Sequence, residues 1–149
     1  MAMTRRQAMK SAAAFGAALA WPSAIFGRAG RAGDGERGAV ERRDLFPQGV
    51  ASADPHPDSV ILWTRRPPVG ESRAALLAVE VAEDAGFAYV VARARAPLSA
   101  DADWTCRVLA AGLLPARVYW YRFVDEHGFA SRTGRTVTAP AETDGAARA

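Results

Sequence analysis

The sequence predicts an all-β domain over residues 44–140: a sandwich of about seven strands, preceded by an N-terminal signal segment. Short runs rich in β-branched and aromatic residues alternate with a period near two. Clusters of Pro, Gly and Asp punctuate them at regular spacing. Seven such runs fit into the 97 residues from 44 to 140, which is the strand arithmetic of an immunoglobulin- or fibronectin-III-like sandwich.

The elements run in chain order. Leu45 to Ala53 ends in Asp54-Pro55-His56-Pro57-Asp58, whose two prolines forbid helix and mark a turn. Val60 to Thr64 is β-branched and aromatic and stops at Pro67-Pro68. Ala75, Leu77, Val79 and Val81 alternate with Leu76, Ala78, Glu80 and Ala82, so this alanine-rich piece reads as strand despite its helix propensity. Asp84-Ala85-Gly86 turns the chain into Phe87 to Arg95, which Pro97 is expected to end. Trp104 to Leu109 and Val118 to Val124 are further strands, the latter closed by Asp125-Glu126-His127-Gly128. Ser131 to Thr138 is the last, before Pro140.

One local pattern sharpens the fold. Leu113, Pro115 and Tyr119 stand at i−6, i−4 and i around the start of the penultimate strand. A tyrosine there can reach back to the backbone upstream, as in the tyrosine corner of sandwich folds. With Tyr119 inside, Tyr121 and Phe123 are inside too, and Trp63 reads as a core tryptophan. Val118, Trp120 and Val124 are then left facing out, the expected beginning of an apolar surface covered by another domain or partner. The competing reading is a lone aromatic shielded by its neighbouring strands.

The N-terminus reads as an address. Arg5-Arg6 and Lys10 precede an uncharged run from Ser11 to Gly27, 17 residues containing Pro22 and Ser23. That is too short and too soft for a membrane span of about 20 strongly apolar residues. The paired Arg5 and Arg6 resemble a twin-arginine export signal, with an ordinary secretory signal as the alternative. Ala18-Leu19-Ala20 and Gly30-Arg31-Ala32 are both candidate cleavage sites, and residues 1–32 are assigned to the signal. Residues 33–43 read as a flexible leader. The product is expected outside the cytoplasm, monomeric, and not integral to a membrane once cleaved.

Charge supports the same division. The whole chain carries 19 Lys+Arg against 16 Asp+Glu. Residues 1–33 hold five basic and no acidic residues, so residues 34–149 have 14 against 16, or −2. A nucleic-acid partner is therefore excluded, because the basic excess belongs to a removable end. One cysteine leaves no internal disulfide, and 34 alanines make bulky core formers scarcer than the hydrophobic fraction suggests.

No catalytic or metal-binding residue is read from the spacing. His56 between Asp54 and Asp58 is turn chemistry, and His127 lies in a charged hairpin loop. Cys106 alternates with Trp104 and Val108, as a small buried apolar residue would. Ser52 has no nucleophile elbow, the glycines from Gly27 to Gly38 follow no strand, and Arg42-Arg43 and Arg65-Arg66 read as solvated surface.

Phe46-Pro47-Gln48-Gly49-Val50-Ala51-Ser52-Ala53-Asp54-Pro55, followed by Ser59-Val60-Ile61-Leu62-Trp63-Thr64-Arg65, resembles the opening of the PhoD-like alkaline phosphatase family. Its N-terminal domain begins with a Gly-Val-Ala-Ser-Gly-Asp-Pro stretch and an apolar strand ending Leu-Trp-Thr-Arg. Leu113-Leu114-Pro115 leading to Tyr119–Phe123, and Ser131–Thr136 leading to Ala139-Pro140, agree in order and spacing. Ala53 departs from the family's glycine, and a positive φ there would cost stability.

The resemblance implies an exported sandwich followed by a metallophosphoesterase domain that holds iron and calcium and hydrolyses phosphate esters. It places every metal ligand beyond the sandwich, so none is carried onto this sequence. Residues 141–149, an Ala/Glu/Thr/Asp/Gly/Arg stretch without apolar pattern, are expected to be a disordered tail where the catalytic domain would begin. The chain is thus expected to be the non-catalytic N-terminal domain of such an enzyme, its partner the catalytic domain missing from this chain. The alternatives are a free-standing exported binding sandwich, or a fragment without function.

Overall fold

The computed structural model describes residues 27–28, 38–71 and 74–141. Its strands are β1 (Gly27–Arg28), β2 (Val40–Glu41), β3 (Val50–Ala53), β4 (Ser59–Arg65), β5 (Ala74–Ala82), β6 (Val90–Ser99), β7 (Thr105–Ala111), β8 (Val118–Val124), β9 (Phe129–Ala130) and β10 (Gly134–Val137). One 3-10 turn, Ala100–Ala102, links β6 to β7.

Two sheets enclose one core. The smaller has the order β3-β4-β7, all antiparallel. The larger runs β1-β6-β5-β8, with β9 and β10 sharing the far edge of β8 and β2 outside β9. β8 is the hub: Trp120–Val124 pair with β5, Val118–Tyr121 pair with β10, and Val124 pairs with Ala130.

Period-two alternation sets the faces. Val60 and Leu62 on β4, Leu77, Val79 and Val81 on β5, Cys106 and Val108 on β7, and Tyr119, Tyr121 and Phe123 on β8 are all buried in one core cluster. Thr64 shares the inward face and satisfies its hydroxyl by donating to the Gly49 carbonyl at 2.7 Å. Trp63 lies on the opposite face of β4 and is only partly buried, so the core tryptophan is Trp104.

Several boundaries differ from the sequence reading. Residues 45–49 form turns rather than strand. Within the stretch expected as leader, Val40–Glu41 pair parallel with Phe129–Ala130, and the Arg42 N–H donates to the Ala130 carbonyl. Pro97 does not end β6 but sits inside it, opposite Leu76. Among the described residues the β1 ladder reaches only Ala92 and Arg93, so Pro97 lies on an edge where no described strand pairs with it and its missing N–H is tolerated. Ala53 is not left-handed; Asp54 takes the positive φ, 51°, and the expected alanine cost does not arise.

Candidate functional site

The tyrosine corner positions one end of the sandwich. Tyr119 is 1% exposed, and its hydroxyl accepts the Leu114 N–H at 2.9 Å. Leu113 is thereby turned into the core while Leu114 and Pro115 face solvent. Thr138 completes the corner. Its Oγ1 accepts from Arg117 N–H at 3.0 Å and donates to the Leu114 carbonyl at 2.6 Å.

The outer face of the larger sheet is not bare. Trp120 packs against Ala82, Phe87 and Val90, a second apolar cluster beneath the 84–89 loop. Asp84 folds that loop by accepting N–H groups from Gly86, Ala88 and Tyr89, and Phe87 takes a left-handed φ of 56° as it turns inward. Val124 is buried too, at 7% exposure. Of Val118, Trp120 and Val124, expected to share one open surface, only Val118 and Trp120 retain partial exposure. Trp120 is partly shielded by the chain's own cluster of Ala82, Phe87 and Val90.

The same face carries a charge network that sequence reasoning missed. Glu80 is 1% exposed, and its direct cross-strand partners are Arg93 on β6 and Arg122 on β8. Arg93 Nε donates to Oε1 at 3.1 Å, and Arg122 Nε donates to Oε2 at 2.8 Å. The Arg122 guanidinium also lies 4.1 Å from the Phe87 ring centroid. Both carboxylate oxygens are engaged, so the group ties three strands together rather than offering a base. Beside it opens a cleft of about 530 Å³, bordered by Ala78, Glu80, Arg95, Val124 and Asp125. The available signal was a lone Glu at the centre of an apolar strand.

At the other end, Arg66 is buried rather than solvated. Its Nη2 meets Asp125 Oδ2 at 2.8 Å, with the side chains 10% and 6% exposed. Asp125 Oδ1 also accepts the His127 and Phe129 N–H groups, so the pair anchors the β8–β9 turn. Arg65, Arg42 and Arg43 pair with Asp103, Asp44 and Glu41 respectively.

The remaining reactive residue types are scattered. His56 and Asp54 are exposed at 3.7 Å, and His127 stacks on Phe129. Burial pushes the Cys106 thiol up to about 12, which suppresses the thiolate. Among the described residues no three His, Cys, Asp or Glu side chains converge to hold a metal, so the described residues do not fit the iron and calcium implied by the resemblance. Arg5 and Arg6 lie outside the described residues, and among the described residues no helix is long and apolar enough to cross a membrane.

Comparison with known proteins points one way. The profile of the PhoD-like phosphatase N-terminal domain matches residues 32–140. Alkaline phosphatase D of Bacillus subtilis (strain 168) is 38% identical over 102 residues, covering 64% of this chain and 17% of that enzyme. A solved structure of PhoD superposes with a TM-score of 0.62 at 39% identity, over 65% of this chain and 20% of the other. The sensor domain of the anti-sigma factor RsgI4 from Pseudobacteroides cellulosolvens shares the fold at 12% identity and a TM-score of 0.51, over 62% of this chain and 94% of that domain. The chain thus spans about a sixth of the length of the curated relative it matches.

Proposed function

This chain belongs to the PhoD-like phosphatase N-terminal domain family, and from that premise we propose that it is the non-catalytic front domain of an exported phosphatase. Its work is to fold as a sandwich and pack against a metallophosphoesterase domain that holds the metals and performs ester hydrolysis. The observation carrying this reading is the match itself: residues 32–140 match the family's N-terminal domain, and the 102 residues aligned with alkaline phosphatase D cover only 17% of that much longer enzyme. The strand order, β3-β4-β7 facing β6-β5-β8-β10, supports a fibronectin-III-like sandwich in that role. The twin-arginine pattern at Arg5-Arg6 supports export by that route.

Domain replacement tests it. The Bacillus enzyme is made without its matching N-terminal region, and again with this chain's residues 38–140 in that place. The chimera is expected to be stable and to recover phosphatase activity that the shortened enzyme lacks. Equal behaviour of the two proteins would favour the second reading, an exported sandwich that binds a partner on its own.

A further inference from the structure

We propose that the tyrosine-corner end of the sandwich is the docking face for the catalytic domain, an assignment that rests on the function proposed above. The route of the chain carries it. Residues 138–140 do not leave β10 as a loose end. Thr138 N–H donates to the Arg117 carbonyl at 3.0 Å, and Ala116 N–H donates to the Ala139 carbonyl at 3.0 Å. Ala139 N–H then donates to the His56 carbonyl at 3.1 Å. With the Thr138 Oγ1 bonds to the Arg117 N–H and to the Leu114 and Arg117 carbonyls, these clamp the segment between the 54–58 and 112–117 loops before Pro140 restricts the backbone again. Because the family match ends at residue 140, the polypeptide beyond it in a PhoD-like enzyme starts from this end. Held so close, it meets the adjacent surface at high effective concentration.

That surface is apolar where the clamp meets it. Leu114 is 54% exposed and Val137 is 44% exposed, and Val137 is the direct ladder partner of Val118, so these two valines share one face. The Thr138–Leu114 hydrogen bond places Leu114 beside the same strand end. The Tyr119 hydroxyl holds the Leu114 backbone, which makes Leu114 a preorganised contact rather than a mobile one. The shielded Trp120 and buried Val124 offer no comparable open surface further along β8. An intrachain interface of this kind needs only a modest apolar centre with a polar rim.

Thiol footprinting tests the assignment, because Cys106 is buried and contributes little background. Leu114→Cys and Val137→Cys are compared with Tyr89→Cys and Leu109→Cys, exposed controls at 62% and 44%. Each is labelled in the 149-residue chain and in an active chimera with the remainder of the Bacillus enzyme, and mass spectrometry reads the modified position. Labelling at 114 and 137 is expected to slow at least tenfold in the chimera, while 89 and 109 stay within twofold. Unchanged labelling at 114 and 137 with slowing at a control position would overturn this face and leave the proposed function standing. No slowing anywhere would overturn both the face and the packing role.

Discussion

The Tyr119 hydroxyl and the Leu114 N–H, five residues apart, are joined by a 2.9 Å hydrogen bond that fixes one end of the sandwich. Tyr119→Phe keeps the ring in the core and removes only the acceptor. The Leu114 N–H is then left without that partner, and a loss of about 1–2 kcal/mol is expected. Urea unfolding with an unchanged m-value checks it; an unchanged midpoint would show that solvent replaces the bond.

Gly134 lies directly opposite Tyr121, whose ring crosses it. An added Cβ would come within 2.3 Å of a ring carbon. Gly134→Ala should therefore cost about 1–3 kcal/mol through overpacking. The same substitution in a Tyr121→Leu background should cost less, a coupling that a double-mutant cycle measures directly.

Glu80→Gln leaves Arg93 and Arg122 facing a neutral amide at the centre of the larger sheet. Removing one member of a fully buried pair costs about 3–5 kcal/mol, and partial exposure of Arg93, 28%, lowers the expectation to about 2–4 kcal/mol. Thermal unfolding followed by circular dichroism reads the loss. Retention of wild-type stability would mean that the two arginines find water or each other's neighbours without penalty.

Asp84 governs the pH response of the loop over Trp120. N–H donation by Tyr89, then by Ala88, holds its carboxyl below the usual carboxylate range, against a smaller opposing effect of burial. A depressed folded pKa gives stability that is present above the unfolded value and lost as pH falls through the folded one. Stability should therefore decline below about pH 4, and part of that decline should disappear in Asp84→Asn. Urea midpoints between neutral pH and about pH 2.5, compared for both proteins, provide the check.

Cys106 should be inert in the folded protein. Burial raises its thiol to about 12, so at about pH 8 a thiol reagent should react only on unfolding, with a rate that follows the unfolding equilibrium. Rapid stoichiometric labelling without denaturant would contradict the buried placement.

The strands were legible where one face repeats: β4, β5 and β8 follow the alternation of Val60 and Leu62, of Leu77, Val79 and Val81, and of Tyr119, Tyr121 and Phe123. Short pairings were not. Val40–Glu41 and Phe129–Ala130 are too brief for any period, and their partners lie far apart in the chain. Pro97 looked like a stop because a sequence does not state which strand edge lies free. Arg66 looked solvated because its partner Asp125 is 59 residues away. The packing over Trp120 was not legible for a related reason, since alternation alone left both an open surface and a shielded aromatic. Its cover is Phe87, brought over by a left-handed backbone that Asp84 stabilises, and no alternation pattern announces that fold-back.

On the proposed reading, this sandwich serves a phosphatase without being one. Purified residues 38–149 are incubated with an aryl phosphate at alkaline pH, with and without added calcium and iron, beside the full Bacillus enzyme. The expected result is no turnover above buffer in any condition. Metal-dependent turnover by the pure chain, lost on chelation, would contradict the non-catalytic role.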